Sequence, residues 1–213
     1  MTKRLEIIAK HIKGGKVFAD VGCDHGIISK YVLDNGLADL VIASDISSKS
    51  LQKAKNLLNS YGDKVQFWVS DGFKNFTITP TEAVIAGMGG DEIVSILEGA
   101  TSLPDRLILS PQKNQRKVRE ILIRKNYKIC DDYTIFDNKF YDIIVAEKGE
   151  DFYLELELVF GRDNLKLRPK DFIKKLSLEE KKFSKIFNET GLDGKNLDLQ
   201  NYLEQIRKVL YEN

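Results

Sequence analysis

The stretch Asp20-Val21-Gly22-Cys23-Asp24-His25-Gly26 decides the fold that we predict for this chain. It ends a short apolar run that begins at Val17, and it precedes a helical pattern that begins at Ile27. Gly22 permits a tight turn after the strand, and Gly26 allows the start of the helix to approach a ligand closely. A strand, a glycine turn and a helix in this order predict the first unit of an α/β sheet.

The same alternation continues to about residue 125. Further strands are predicted at 40–45, 65–69, 83–86 and 106–110, and helices at 5–11, 27–33, 47–60, 91–97 and 115–125. Because these strands are apolar on both faces and separated by helices, they predict a parallel sheet covered on both sides. Two further β-runs, Tyr127 to Phe136 and Lys139 to Lys148, are joined by Asp137-Asn138 and predict a terminal antiparallel hairpin.

The strand pattern ends after about Gly149. Residues 152–160 are predicted to be helical, and residues 169–188 and 198–211 are predicted to form a helical hairpin around the turn-rich break 190–194. One face of the first hairpin helix is predicted to be apolar at Phe172, Ile173, Leu176, Leu178, Phe183, Ile186 and Phe187. The second helix has a pairing seam at Leu199, Leu203, Ile206 and Leu210. We therefore expect a doubly wound α/β domain over 1–150 and a small helical domain over 151–213.

Composition excludes several classes of protein. The chain has 213 residues, of which 42% are hydrophobic and 31% charged, as is typical of a globular domain. No apolar run approaches the roughly 20 residues that cross a bilayer, and the N-terminus lacks the apolar centre of a secretory signal. We expect a cytoplasmic protein. Two cysteines and two histidines without ligand spacing predict no metal site.

Charge is unevenly distributed along the chain. Residues 104–128 include eight basic and two acidic residues, whereas residues 131–160 include nine acidic and two basic ones. This asymmetry permits a polyanionic substrate on one face, and two solvated helix faces are the alternative interpretation. Lys113, Arg116 and Lys117 are the candidate contacts for such a substrate.

Polar or glycine-rich segments follow four successive strands. The first lacks the G-x-G-x-x-G pattern that cradles a pyrophosphate, and its carboxylates, Asp20 and Asp24, repel phosphate but suit a ligand with ammonium and sulfonium groups. Asp45 is placed to accept hydrogen bonds from ribose hydroxyls, and Asp71 to bind an adenine edge. Each residue has a structural alternative as a cap or turn former. Their shared position at strand ends favours a ligand site.

At this point a resemblance to a known family is clear. The four segments resemble those of class I S-adenosylmethionine-dependent methyltransferases, and the full set resembles the bacterial tRNA (adenine-N1)-methyltransferases that modify adenine 22. The motifs that carry it are 20–26 (DVGCDHG), 43–46 (ASDI), 70–72 (SDG), 86–90 (AGMGG) and 110–114 (SPQKN). The resemblance covers essentially the whole chain. It implies a Rossmann-like fold, S-adenosylmethionine as cofactor, tRNA as substrate, and a helical tail like the family's coiled-coil-like domain, which is implicated in holding tRNA.

The resemblance also implies which residues surround the cofactor. They are Asp20, Gly22, Asp24, His25, Asp45, Asp71, Gly87, Met88, Gly89 and Gly90. The further cofactor-binding candidates in the same segments are Cys23, Gly26, Ile46, Ser70 and Gly72. The Gly87–Gly90 segment replaces the Asn/Asp-Pro-Pro-aromatic motif of enzymes that methylate exocyclic amines. A ring nitrogen such as adenine N1 has an in-plane lone pair and needs orientation and desolvation more than a strong base.

Three residues are candidates for a part in catalysis. Asp24 and His25 are placed to orient the target base or to shuttle a proton, and Asn114 to hydrogen-bond that base. Because N1 lies on the Watson–Crick edge, the adenine must be unpaired or flipped out. Two alternatives stay open, namely a methyltransferase for a small molecule or protein, and a non-catalytic RNA-binding module on the same fold. A nicotinamide enzyme is disfavoured by the carboxylates.

Overall fold

The computed structural model describes residues 1–190 and 197–212. The strands are β1 (Gly15–Val21), β2 (Ala38–Asp45), β3 (Val65–Val69), β4 (Glu82–Ala86), β5 (Arg106–Ser110), β6 (Tyr127–Asp137) and β7 (Lys139–Lys148). The helices are α1 (Lys3–His11), α2 (Ile27–Asp34), α3 (Ser48–Leu58), α4 (Gly90–Gly99), α5 (Gln115–Arg124), α6 (Glu155–Phe160), α7 (Arg162–Leu167), α8 (Lys170–Thr190) and α9 (Leu197–Tyr211). Most of the predicted break at 190–194 lies outside the described residues.

The seven strands form one mixed sheet in the order β3-β2-β1-β4-β5-β7-β6. Strands β1 to β5 are parallel, and β7 is antiparallel to both β5 and β6. The predicted parallel sheet with an antiparallel terminal hairpin is therefore confirmed. The strand order reverses between β1 and β4, and in such sheets ligands bind in the crevice outside the carboxyl ends of the strands at that point.

The hairpin turn is tighter than predicted. Asp137 pairs with Lys139, so Asn138 alone forms the turn, with a φ of 61°. Asparagine tolerates this left-handed conformation better than most residues. The Asp137 carboxylate instead accepts a hydrogen bond of 2.9 Å from the backbone N–H of Arg4, which attaches the start of α1 to the hairpin.

Helices cover both faces of the sheet, as the two-sided apolar strands predict. On one face, α1, α2 and α3 bury Ile8, Val32, Leu51 and Leu58. On the other face, α4 and α5 bury Ile93, Leu97, Val118 and Leu122. Both layers place helix N-termini at the carboxyl ends of the parallel strands, where the glycine segments lie.

The helical tail has a separate apolar cluster. Its buried members are Phe160, Phe172, Leu176, Ile206 and Val209. Leu203 and Ile206 are buried, as the predicted seam requires, but Leu178 is 51% exposed and its predicted place on the buried face is wrong. Leu178 follows Leu176 by two residues, which turns its side chain about 200° around the helix. Helix α6 begins at Glu155, three residues later than predicted, and α7 was not predicted.

The tail joins the sheet through its side chains. Strand β6 lies at the edge of the sheet, and four of its backbone N–H groups donate to carboxylate or amide oxygens from residues after β7. The pairs are Ile129 with Asp151 (3.0 Å), Asp132 with Asp163 (2.9 Å), Thr134 with Asn164 (2.8 Å) and Phe136 with Asp171 (2.8 Å). Side chains thus cover donors that would otherwise be open to another strand. A domain boundary at residue 150 stays a prediction.

Candidate active site

The turn after β1 is fixed by the neighbouring strand. The backbone N–H groups of Gly22 and Cys23 both donate to the Ser44 carbonyl of β2, at 2.8 and 3.0 Å. Gly22 has a φ of 72°, and a Cβ there would lie 2.5 Å from Cε of Met88. Glycine is therefore needed both for the backbone conformation and for the approach of the Met88 side chain.

Asp20 lies at the end of β1 and is 5% exposed. Its Oδ2 accepts hydrogen bonds from the backbone N–H of Ser29 at 3.0 Å and from the Ser29 hydroxyl at 2.7 Å. Burial raises the pKa of Asp20 to about 6, because it outweighs the two hydrogen bonds from Ser29, and the charge of Asp45 raises the pKa further. The group therefore changes charge near neutral pH.

Asp45, at the end of β2, connects three turns. Its Oδ1 accepts from the backbone N–H of Ser47 at 2.8 Å, and its Oδ2 accepts from that of Asp24 at 3.3 Å. Its backbone carbonyl accepts from the N–H of Ser70 at 3.1 Å. One aspartate thus positions the segments that follow β1, β2 and β3.

Two cavities share a wall at this edge of the sheet. The first, which we call the Asp45 cavity, has a volume of about 360 Å³, and the second, the Asp20 cavity, about 430 Å³. Gly22, Ala86 and Gly87 line both. The other predicted residues that line the Asp45 cavity are Asp45, Ile46, Ser70, Asp71, Gly72 and Met88. Those that line the Asp20 cavity are Asp20, Cys23, Asp24 and His25.

Three predicted glycines line neither cavity. Gly26 is buried against α3, where an added Cβ would lie 3.0 Å from Cβ of Ala54. Gly89 caps α4 and donates its N–H to Glu92 at 2.7 Å, and the Gly90 N–H donates to the Lys113 carbonyl at 2.9 Å. Gly26 and Gly90 are needed for close packing, whereas an added Cβ on Gly89 would meet only the side chain of Lys113. Contact of these three glycines with a ligand stays a prediction.

Asp24 and His25 lie exposed at the rim of the Asp20 cavity. His25 Nε2 is 3.5 Å from an Asp24 carboxylate oxygen, and Lys53 Nζ is 3.5 Å from both side chains. Lys53, on α3, was not predicted. The neighbouring Cys23 is buried, and burial raises the pKa of its thiol, which therefore stays neutral and unreactive.

Asn114 lies apart from both cavities. It adopts a left-handed conformation with a φ of 56° before α5, and its side-chain amide donates to the Asp91 carboxylate. With Lys113, it lines a third cavity of about 370 Å³ between the loop after β5 and the tail, which we call the junction cavity. A direct part for Asn114 in catalysis stays a prediction, and it requires the side chain to leave Asp91.

Two residues of the Asp20 cavity were missed by sequence reasoning. Gln112 fixes the loop after β5 to the glycine loop, because its Nε2 donates to the Gly87 carbonyl at 2.6 Å and its N–H to the Met88 carbonyl at 3.0 Å. Arg4 reaches the cavity from α1, with its guanidinium 4.6 Å from the ring centre of Tyr141. An arginine on an opening helix carries no local signal, because only the tertiary fold brings that helix to the site.

The basic helix α5 is less exposed and less free than its sequence indicates. Arg119, one of the eight basic residues of 104–128, is fully buried, so it adds nothing to a charged surface. Arg116 pairs with Glu120 and Glu155, and Lys117 pairs with Asp91 at 2.7 Å, a hydrogen bond that lowers the pKa of Asp91. These ion pairs are exposed, so they compete with a polyanion without excluding it. Substrate contact by Lys113, Arg116 and Lys117 stays a prediction.

Residues 1–190 and 197–212 offer neither a metal site nor a membrane-spanning helix. They contain no group of three or more His, Cys, Asp or Glu side chains that could hold a metal ion. None of their helices is long and apolar enough to span a membrane.

The donor set fits S-adenosylmethionine. Asp20 and Asp24 offer carboxylates for an ammonium group in one cavity, and Asp45 and Asp71 offer acceptors for ribose hydroxyls and an adenine amine in the adjoining one. The glycine loop between the cavities leaves room for a reacting centre.

Comparisons with known proteins agree with this chemistry. Residues 1–144 match the family model described as a methyltransferase domain. "Putative tRNA methyltransferase MG248" of Mycoplasma genitalium is 34% identical over 170 residues, which cover 75% of this chain and 76% of that protein. The tRNA (adenine(22)-N(1))-methyltransferase of Bacillus subtilis is 35% identical over 157 residues, or 70% of this chain and 66% of that protein.

A solved structure extends the likeness over the tail. TrmK of M. capricolum, in complex with the cofactor product S-adenosyl-homocysteine, is 27% identical and has a TM-score of 0.89. The match covers 99% of this chain and 97% of that one. By domain, by sequence and by structure, the chain belongs to the methyltransferase-domain family and, within it, to the tRNA (adenine-N1)-methyltransferases.

Proposed function

We propose that this protein transfers a methyl group from S-adenosylmethionine to N1 of an adenine in tRNA. The observation that carries the proposal is the pair of joined cavities at the switch point of the sheet, with four aspartates around a glycine loop. Position 22 of the tRNA follows from the B. subtilis relative, which is named for it. A tRNA substrate supports a location in the cytoplasm.

The four aspartates divide the recognition of the cofactor between the two cavities. Asp45 accepts hydrogen bonds from the ribose hydroxyls and Asp71 from the adenine amine, while Asp20 and Asp24 bind the ammonium group. Met88 packs against Gly22 between the cavities, so it supplies an apolar wall beside the reacting centre. Backbone N–H groups hold two of these carboxylates, since Asp45 accepts from Ser47 and Asp24 and Asp20 accepts from Ser29, which orients both before the ligand binds.

When bound, S-adenosylmethionine supplies an electrophilic methyl group on a sulfonium, which the in-plane lone pair of adenine N1 attacks directly. The bond from methyl carbon to sulfur breaks as the bond from methyl carbon to N1 forms, and the positive charge moves to the adenine ring. No proton has to leave the base, so no general base is needed. Asp24 and His25, at the rim, are placed to orient the incoming base.

The tRNA is proposed to lie along the face that carries the loop after β5 and the tail. Exposed Lys113, together with Arg116 and Lys117 on α5, contacts phosphates, and the helical tail extends this surface. The target adenine leaves its stack to reach the cavities, which costs a few kcal/mol for a paired base and less for an unpaired one.

The deciding experiment uses labelled S-adenosylmethionine, an unmodified tRNA transcript with adenine at position 22, and nucleoside mass spectrometry. We expect labelled 1-methyladenosine, and no label in a matched transcript with guanine at that position. Asp45→Ala should abolish transfer while the circular dichroism spectrum stays native. Cofactor binding without any labelled tRNA would favour a small-molecule or protein substrate, and tRNA binding without cofactor binding would favour an RNA-binding module.

A further inference from the structure

We propose that the groove between the loop after β5 and the tail binds a second nucleotide of the tRNA, a neighbour of the target adenine, and contacts its base through side-chain amides. The inference rests on the proposed function, because it needs the target adenine to reach the cofactor site. It adds a second base contact, so methylation should depend on the base beside the target as well as on the adenine itself.

Two adjoining cavities form this groove. One is the junction cavity of about 370 Å³, and the other, which we call the amide cavity, has a volume of about 490 Å³ between α5, α6 and α9. Asn114, Gln115, Val159 and Tyr202 line both. Each is at least as large as the Asp45 cavity of about 360 Å³, which is proposed to hold a nucleoside, so each has room for a base.

Gln112 connects the groove to the active site. It lines both the Asp20 cavity and the junction cavity. Its Nε2 donates to the Gly87 carbonyl at 2.6 Å, so this wall of the groove is attached to the glycine loop beside the reacting centre. When the target adenine leaves its stack, its neighbour loses a stacking partner and can be bound separately. The groove is where that neighbour arrives when the target is in the site.

The amide cavity offers groups that match the edge of a base. Gln115 on α5 and Asn201 and Gln205 on α9 line it. Within residues 1–190 and 197–212, the side-chain amides of these three residues form no hydrogen bond. An amide has both a donor and an acceptor, as the hydrogen-bonding edge of a base requires. Three unpaired amides on two helices therefore indicate a base as the ligand.

Two aromatic side chains add surfaces on which a base can stack. Phe140, at the start of β7, lines the junction cavity, and Tyr202 lines both cavities of the groove. The Tyr202 ring is stacked on Phe160, with the ring centres 6.0 Å apart, and its hydroxyl donates to Glu179 at 2.9 Å. Its position is thus fixed before a ligand binds. Unstacked RNA bases commonly bind to proteins in this way, through aromatic rings and edge hydrogen bonds.

The charges of the groove favour a base over a phosphate in its interior. Its basic side chains are Lys113, Arg116 and Lys175, and its acidic ones are Glu155, Glu179 and Asp198. Arg116 pairs with Glu155 at 2.6 Å, and Lys175 lies 3.4 Å from Asp142. Among the three basic side chains, and within the described ranges, only that of Lys113 has no carboxylate within 4.0 Å. One phosphate contact at Lys113 and a base among the amides fit a nucleotide that is recognised by its base.

The experiment removes one base at a time from the tRNA. Three unmodified tRNAs all carry adenine 22. One is intact, one has an abasic nucleotide on the 5′ side of the target, and one has it on the 3′ side. An abasic nucleotide keeps its sugar and phosphate, so only base contacts change. We expect the wild type to methylate at least one abasic tRNA with a kcat/KM about 10- to 100-fold lower than the intact one, the range for a base stacked in a protein site.

The double variant Asn201→Ala/Gln205→Ala removes two amides from the groove, and neither residue lines a cofactor cavity. Its ratio of intact to abasic tRNA should fall toward one, because the contact is already absent, while its affinity for S-adenosylmethionine stays that of the wild type. The matched control is Gln200→Ala on the same helix, since that amide donates to Glu204 at 3.0 Å and lies outside the groove. It should keep the wild-type ratio. If the double variant does not fold, Gln115→Ala on α5 takes its place.

Equal efficiency of the wild type on all three tRNAs would overturn this inference and leave the proposed function intact. A loss on an abasic tRNA that is as large in the amide variant as in the wild type would mean that the base acts within the tRNA alone, which also overturns it. Failure of the wild type to methylate the intact tRNA would instead refute the proposed function.

Discussion

At the scale of single residues, the burial of Asp20 makes cofactor affinity depend on pH. Its pKa in the free protein is raised to about 6, whereas the ammonium group of the cofactor binds the charged carboxylate. Below about pH 6 the ligand must displace a proton, so we expect affinity for S-adenosyl-homocysteine to fall toward tenfold per pH unit and to be constant above pH 7. Calorimetric titrations between pH 5 and pH 8 measure this.

Asp20→Asn is the control for that prediction, because the amide cannot ionise. It should bind more weakly and lose the part of the pH dependence that belongs to Asp20. The same shift has a consequence for stability. Because the folded state holds the proton more tightly than the unfolded state, Asp20 lowers the free energy of unfolding as pH rises from about 4 to 6. If the wild type binds S-adenosyl-homocysteine with the same affinity at pH 5 and pH 7, the assignment of Asp20 to the ammonium group is contradicted.

Gly89 and Gly90 allow a comparison between packing against a backbone and packing against a side chain. A Cβ on Gly90 would lie 2.5 Å from the Lys113 carbonyl oxygen and 2.6 Å from that of Asn114, whereas one on Gly89 would lie 3.1 Å from Cε of Lys113. The lysine side chain can move, but the loop backbone must shift as a unit. We expect Gly90→Ala to lower the free energy of unfolding by about 1–3 kcal/mol and Gly89→Ala by clearly less. Urea titration of both variants tests this, and equal losses would show that the loop yields easily.

At the scale of elements, Arg119 joins α5, the terminal hairpin and α6. It is fully buried, donates to Asp132 at 2.8 Å through two nitrogens and to Asp142 at 3.1 Å, and also bonds the Leu158 and Val159 carbonyls. Removing it leaves two carboxylates buried without their main counter-charge, although Lys175 lies 3.4 Å from Asp142. Arg119→Met should therefore cost about 3–5 kcal/mol of unfolding free energy.

Arg124, on the same helix, provides the matched comparison. It pairs with Glu98 at the surface, where both side chains are more than half exposed. Arg124→Met should cost at most about 1 kcal/mol, because water and salt screen an exposed pair. Chemical denaturation of the two variants at one pH measures the difference, and similar losses would mean that burial of the Arg119 cluster contributes little.

Elements that depend on local signals were predictable. The five parallel strands and their helices could be predicted, because each combines an apolar run with a turn or cap that is visible in the sequence. Helix α7 was missed because its six residues, Arg162–Leu167, contribute mainly polar side chains to the edge of β6, and α6 begins late because Glu157 caps it at Leu154. None of these side-chain hydrogen bonds to the backbone can be inferred from the periodicity of apolar residues. Arg4, Gln112 and Lys53 reach the site only through the tertiary fold.

At the scale of the whole molecule, the cavities open at the carboxyl edge of the sheet, and the basic loop after β5 and the tail border that edge. The sequence overstates the number of basic side chains that are free to contact phosphates there, because Arg119 is buried and Arg116 and Lys117 are paired with carboxylates. Lys113 is exposed and lines the junction cavity, so it should contribute more to tRNA binding than the two paired residues. The net charge of +1 alone would not indicate this.

Lys113→Gln should therefore weaken tRNA binding and reduce its salt dependence. Loss of one phosphate contact lowers the slope of log K against log salt by about 0.7–0.9. The matched control is Lys16→Gln, which removes the same charge from an exposed position on β1 at the opposite edge of the sheet. Filter binding of an unmodified tRNA between 50 and 200 mM salt gives both slopes. Over this range, affinity that depends on several phosphate contacts falls by about an order of magnitude or more. If the two variants lower the slope equally, the net charge attracts the tRNA and the proposed orientation on the loop after β5 is wrong.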